Sequence, residues 1–132
     1  MTEASVCFQK EILADGIVLY RAQVITGECA DLWFDDIAAE FARANVEQRH
    51  IRLLYDLRKV TRATPYMLQR IQQLASLPYL PENWHVASVT GNAFVTGIVH
   101  FVKTTSLVNP NLFKRSEIFD GEAEALGWLR SQ

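Results

Sequence analysis

A run of 20 residues without a charged side chain, residues 83–102, restricts the possible folds of this chain more than any other feature. The run, NWHVASVTGNAFVTGIVHFV, reads as a β-strand, a break at Gly91-Asn92 and an apolar helix. It is long enough to raise the question of a membrane span, but its histidine, asparagine, serine and threonine side chains make insertion into lipid costly. We therefore predict a strand and a helix covered by the rest of a folded domain, and no membrane span.

The remaining sequence alternates between strand-like and helix-like segments. An Asp15-Gly16 turn joins the first two strands, which predicts an antiparallel hairpin. Strands that alternate with helices then predict an α/β fold with a mixed, mainly parallel five-stranded sheet. The predicted strands are residues 5–12, 17–25, 50–57, 84–90 and 113–119, the last near an exposed edge. The predicted helices are residues 29–45, a segment from Thr64-Pro65 to before Pro78, residues 93–107 and residues 122–130.

Helical spacing in residues 29–45 separates an apolar stripe from a polar side. The stripe consists of Ala30, Trp33 or Phe34, Ile37, Phe41 and Ala44, and the polar side of Asp35, Asp36, Glu40 and Arg43. In the first strand, Val6, Phe8 and Ile12 share one face. Thr26, Thr64 and Asp120 stand where helix N-caps are expected.

Composition indicates one domain, residues 1–132, with an ordinary core. A net charge of -2 gives no basic excess that would indicate nucleic-acid binding. Cys7 and Cys29 match no metal spacing and no Cys-x-x-Cys motif, and the N-terminus lacks the pattern of a signal peptide. We therefore predict a cytoplasmic protein with reduced thiols.

Few side chains suggest catalysis. His50 and His85 open strands of the same predicted sheet and can lie near each other, but polar residues at strand ends are the simpler interpretation. His100 lies on the apolar helix, and Cys29 lies in a first helical turn, where a reactive thiol is an alternative. An enzyme using His50, His85 and Cys29 is the weakest hypothesis. We predict no catalytic residue, cofactor or metal.

The loop after the third strand contains a basic cluster, Arg58, Lys59 and Arg62. Ligands of parallel α/β sheets bind beyond the carboxyl ends of the strands, where this loop and the Gly91-Asn92 turn should both lie. We therefore place the candidate interaction surface at this edge, with a solvated loop as the alternative.

Several short motifs occur in order along nearly the whole chain. They are Gly16-Ile17-Val18, Thr26-Gly27-Glu28, Tyr55-Asp56-Leu57, Val86-Ala87-Ser88-Val89, and EIFDGEAEALGWL from Glu117 to Leu129. The last motif, a strand followed by a helix that ends in Ala-Leu-x-Trp-Leu, is the most specific. With these motifs the chain resembles the SpoIIAA-like, or STAS-like, family of small bacterial proteins, which has the fold of the anti-sigma-factor antagonists.

The resemblance implies an α/β sandwich with an antiparallel first strand and helices mostly on one face. It also implies a binding or regulatory protein and not an enzyme. Many such antagonists switch partners when a serine is phosphorylated at the helix start that follows the strand ending in Asp-Leu. Pro65 occupies that position here, so the usual switch is absent, and the neighbouring Thr64 is a weaker candidate phosphoacceptor.

The apolar run Ala93–Val102 suggests what such a module binds. A helix on one sheet face should have a polar outer side, whereas Val95, Val99 and Val102 point away from the side that carries Phe94, Ile98 and Phe101. We predict that these valines contact a protein partner or a second copy in a homodimer. The alternative is a carrier of a small apolar, lipid-like ligand.

Overall fold

The computed structural model describes residues 7–23, 26–60, 64–75, 84–91, 93, 96–97 and 116–132. Five strands and three helices are defined within these residues. The strands are β1 (Phe8–Ile12), β2 (Val18–Ala22), β3 (Ile51–Asp56), β4 (Trp84–Val89) and β5 (Ser116–Phe119). The helices are α1 (Gly27–Glu47), α2 (Pro65–Ala75) and α3 (Glu122–Arg130). Most of the third predicted helix, residues 93–107, lies outside this part, although Ala93, Thr96 and Gly97 have helical backbone.

The strands form one sheet in the order β1-β2-β3-β4-β5. β1 pairs with β2 antiparallel, and the other pairs, β2 with β3, β3 with β4 and β4 with β5, are parallel. The predicted mixed, mainly parallel α/β sheet is therefore confirmed, and β5 lies at an edge as expected. The hairpin turn is also confirmed, since Gly16 has a φ of 87° and donates its amide to the Leu13 carbonyl at 2.9 Å.

α1 covers one face of the sheet with the predicted apolar stripe, including Trp33, Ile37 and Phe41. The Thr26 hydroxyl caps the helix by accepting the Cys29 amide at 3.2 Å, as predicted. Phe8 and Ile12 share one face of β1 as predicted, but only Phe8 is buried there, whereas Ile12 is 60% exposed. Val6 lies outside the described residues.

α2 packs beside α1 on the same face. The Arg70 guanidinium lies 3.9 Å from the centre of the Phe34 ring and forms an ion pair with Asp31, and Tyr66 donates its hydroxyl to Asp31. The Thr64 hydroxyl accepts the Met67 amide at 3.1 Å, so the predicted N-cap at Thr64 is confirmed.

Glu40, which the sequence places on the polar side of α1, is buried in the structure. Glu40 is only 2% exposed, because Lys10 of β1 extends over the same face and places its Nζ 2.5 Å from the Glu40 carboxylate. Lys10 also lies 2.9 Å from Asp36, which accepts the Tyr20 hydroxyl at 2.5 Å. A helical pattern alone cannot reveal a cation that reaches the helix from another strand.

Cys7 and Cys29 form a disulfide, so the prediction of reduced thiols is wrong. The bond joins the residue before β1 to the first turn of α1, and both cysteines are buried. The thiol of Cys29 is therefore unavailable as a nucleophile in this structure. The cytoplasmic location stays a prediction, without the support of reduced thiols.

α3 packs on the opposite face of the sheet, where Ala125 and Leu129 contact a small aliphatic cluster. Of the three helices that the structure describes, two therefore lie on one face and one on the other, so the expectation of helices mostly on one face is not confirmed. The prediction that Asp120 is the N-cap of α3 is wrong. The N-cap is Gly121, and no side chain caps the helix. No helix among the described residues is long and apolar enough to span a membrane.

Candidate functional site

The carboxyl ends of β2, β3, β4 and β5 meet at one edge of the sheet, where the sequence places the candidate interaction surface. A charged cluster occupies this edge. It consists of Arg21 in β2, Asp56 at the end of β3, Arg58 in the following loop and Glu122 in the first turn of α3. We call these four residues the edge cluster.

Asp56 is the centre of the edge cluster. The Arg58 side chain donates from Nε to Oδ1 and from Nη2 to Oδ2, both at 2.9 Å, and the Arg58 backbone amide donates to Oδ1 at 3.1 Å. Arg21 Nη1 donates to Oδ2 at 2.9 Å from the neighbouring strand. These hydrogen bonds, those from Arg58 above all, lower the pKa of Asp56 to about 2, although burial opposes the shift.

Glu122 connects the same two arginines to α3. Arg21 Nη2 donates to Glu122 Oε1 at 2.7 Å, and Arg58 Nη2 lies 3.7 Å from Glu122 Oε2. The Glu122 hydrogen bond is the main cause that raises the pKa of Arg21, and the Asp56 hydrogen bond is the main cause for Arg58. The two arginine charges are balanced by the two carboxylates, so the edge cluster has no excess positive charge that would bind an anion.

Gly91 lies directly beside this cluster. A Cβ at Gly91 would be 3.6 Å from Arg58 Cγ, which is an ordinary contact, and Gly91 has no positive φ. The exposed Gly91 therefore contacts Arg58, which places the two loops side by side as predicted, but neither space nor backbone conformation requires a glycine there.

Thr90 fixes the start of the same loop. Its amide donates to the Phe119 carbonyl at 3.1 Å, and its buried hydroxyl lies 2.5 Å from the Thr96 hydroxyl. Thr64, at the start of α2, uses its hydroxyl to cap the helix. Its role as a phosphoacceptor stays a prediction.

The remaining residues of the predicted surface are only partly described. Lys59 is exposed, whereas Arg62, Asn92, Val95, Val99 and Val102 lie outside the described residues. Sequence reasoning missed Arg21 and Glu122. The available signal for Arg21 was a charged side chain within the apolar strand IVLYRAQVI, but pairing it with Asp56 requires β2 and β3 to be neighbours.

His50 and His85 lie at the opposite edge of the sheet, where β3 and β4 begin. His50 and His85 do meet, with His50 Nε2 and His85 Nδ1 2.8 Å apart, as their positions at two strand starts had suggested. Within the described residues, no group of three or more His, Cys, Asp or Glu side chains is placed to hold a metal. His100 lies outside the described part of the chain.

The order and direction of the strands define an α/β protein with a five-stranded mixed sheet. A solved structure with this fold is the NMR structure of the protein TM1081, with a TM-score of 0.61 and 20% sequence identity. The match covers 95% of this chain and 90% of that chain. No family model and no curated protein matches the sequence. At this identity the likeness shows the fold alone, and the STAS-like resemblance stays a prediction.

Proposed function

We propose that this chain is a non-enzymatic binding or regulatory module of STAS-like type that acts through a protein partner or a second copy of itself. The observation that supports this most is the edge cluster. Its arginines are held in fixed positions by carboxylates, yet the Arg21 and Arg58 side chains remain 36% and 43% exposed. A partly exposed, preorganised set of side chains binds a partner with little loss of side-chain entropy.

The protonation state of the edge cluster also favours binding over proton transfer. With a pKa of about 2, Asp56 is ionised throughout the physiological range and is a poor general acid or base. Both arginines stay protonated as well, because the carboxylates raise their pKa. Polar groups with fixed charge are suited to orienting a protein surface.

Charge reversal at Lys59 tests the proposed surface. Lys59 is exposed beside Arg58, so Lys59→Glu changes the surface charge without removing a bond of the edge cluster. Arg49→Glu is the matched control, because Arg49 lies before the amino end of β3, far from the carboxyl edge, and forms an exposed ion pair with Glu47.

The chain, carrying a short peptide tag, is captured from the cells that make it, and bound proteins are quantified by mass spectrometry. We expect a partner that is retained by the wild type and by Arg49→Glu and is reduced at least tenfold by Lys59→Glu. The same partner recovered equally with all three chains would contradict a role of the carboxyl edge in binding.

Binding to a second copy of the chain is the other form of the proposal, and the apolar sequence Ala93–Val102 supports it. Sedimentation equilibrium at micromolar concentration should give twice the monomer mass, and Val99→Asp should give the monomer mass. A monomer mass for the wild type would count against self-association. Native mass spectrometry after gentle purification then separates an interaction module from the alternative, a carrier, which would retain an apolar ligand.

A further inference from the structure

His50 and His85 form a pair at the amino edge of the sheet, remote from the proposed binding surface. His85 is the second residue of β4, and His50 precedes β3, whose first residue Ile51 is paired with Trp84. The two histidines are thus diagonal neighbours across the β3–β4 ladder. Their rings are 5.0 Å apart at an interplanar angle of 71°, and the facing nitrogens are 2.8 Å apart.

We propose that His50 and His85 bind a divalent transition metal ion, and that Cu²⁺ binds most tightly, because nitrogen ligands favour Cu²⁺ over the other divalent first-row metals. Two imidazole nitrogens that bind one ion through bonds of about 2.0 Å lie about 2.8–3.3 Å apart, depending on the coordination geometry. His50 Nε2 and His85 Nδ1, at 2.8 Å, are close enough to share one ion after the rings reorient. Imidazole nitrogen is also a good ligand for Cu²⁺.

Binding requires both facing nitrogens to present a lone pair to the ion. In the metal-free pair, one neutral histidine donates its N–H to the other. When the metal enters, the donor histidine carries its hydrogen on its other ring nitrogen instead, and the rings rotate so that both lone pairs point at the ion and no longer at each other. The exchange changes the tautomer of one ring, releases no proton and alters no oxidation state.

The surroundings suit a partly open site. Both histidines are half-buried. The Trp128 indole and the His85 ring pack in a T-shaped arrangement with ring centres 5.8 Å apart. Phe119 packs against the same indole, so α3 and β5 form an apolar wall beside the pair. Arg52 faces His85 in the ladder, and its positive charge keeps the expected affinity moderate.

Titration of the untagged chain with CuCl₂ at pH 7.5 tests the proposal by two readouts. Calorimetry should show saturable binding of one ion per chain, and electron paramagnetic resonance should show coupling of the bound Cu²⁺ to two nitrogens. His50→Ala and His85→Ala should each weaken binding at least tenfold and reduce the spectrum to coupling with one nitrogen.

Circular dichroism verifies that each variant is folded. If His85→Ala does not fold, His50→Ala decides alone, because His50 lies before β3 and not within a strand. Any binding by the N-terminal amine is common to all chains and cancels in the comparison. Unchanged binding in a folded His50→Ala variant, or a wild-type spectrum without coupling to two nitrogens, would overturn the proposal.

Discussion

The face of the sheet under α1 and the face under α3 are closed by different means. Under α1, a 21-residue helix contributes large aromatic and aliphatic side chains, a disulfide and the buried Glu40. Under α3, a helix of only nine residues contributes two fully buried side chains, Ala125 and Leu129. Helices of that length are marginal on their own, so α3 depends on what it contacts.

Ion pairs at both ends of α3 compensate for its small core. Glu122 in the first turn pairs with Arg21 and Arg58, and Arg130 in the last turn lies 2.8 Å from Asp15 in the hairpin turn. These pairs are partly or well exposed and are therefore weaker than the covalent and buried links under α1. The comparison indicates that α3 is released from the sheet more easily than α1.

Removal of the disulfide should have the largest effect. Cys7→Ser/Cys29→Ser opens a loop whose ends are 22 residues apart, which should lower the free energy of unfolding by about 3 kcal/mol. Urea unfolding followed by far-UV circular dichroism measures the change. Dithiothreitol should shift the wild-type midpoint in the same direction and leave that of the double variant unchanged. Equal midpoints for oxidised and reduced wild type would show that the disulfide does not stabilise the face under α1.

Loss of the buried carboxylate should rank second. Glu40→Gln removes a buried charge that pairs with both Lys10 and Arg43, and we expect a loss of about 2–3 kcal/mol, because hydrogen bonds to a charged, buried group are among the stronger ones. Lys10 keeps its pair with Asp36. Burial by itself would lower the pKa of Lys10, but the hydrogen bonds to Glu40 and Asp36 outweigh it and raise the pKa. Urea denaturation measures the loss.

The matched control is Glu47→Gln, which removes an exposed pair with Arg49 at 2.9 Å. Exposed pairs contribute about 0–1 kcal/mol, so this variant should unfold almost like the wild type. Similar losses for both variants would mean that burial does not distinguish the two carboxylates.

A smaller loss, about 1–2 kcal/mol after allowance for solvent screening, is expected for Asp56→Asn at neutral pH. The folded pKa of Asp56 is about 2, below the ordinary 3.8, so its contribution is complete above about pH 5 and is lost as the pH falls through 2. The stability difference between wild type and variant should therefore shrink over that range. Hydrogen exchange should accelerate in α3 and not in α1.

Asp120→Asn provides the control for this variant. Asp120 is exposed and does not cap α3, so its replacement should alter neither the stability nor the exchange of the helix. If exchange in α1 and α3 rose equally in Asp56→Asn, the edge cluster would not be the link that holds α3.

The smallest effect is expected for Arg130→Ala. Its partner Asp15 is exposed, so global stability should stay within experimental error, while amides in the last turn of α3 exchange faster. Hydrogen exchange measured by mass spectrometry at low salt detects this local change, and added salt should reproduce it in the wild type. Faster exchange throughout the chain would contradict a purely local role.

Much of the fold follows from local sequence, and most of the candidate site does not. Apolar alternation and the Thr26 and Thr64 caps predict elements that the structure confirms, because each depends on residues close in the chain. The burial of Glu40 and the pairing of Arg21 with Asp56 depend on which strands lie side by side. The Cys7–Cys29 bond depends on where β1 places its first residues.

The strand order has a consequence for how the chain folds. Each strand pairs with the strand that precedes or follows it in the sequence, so the sheet can grow by successive addition as the chain leaves the ribosome. The final step joins parts that lie much further apart in the sequence: Glu122 reaches Arg21, 101 positions earlier, and Arg130 reaches Asp15, 115 positions earlier. A nascent chain that lacks its last segment would thus have a nearly complete sheet without Ala125 and Leu129, which pack on one of its apolar faces, and a chaperone would recognise the apolar surface left by their absence.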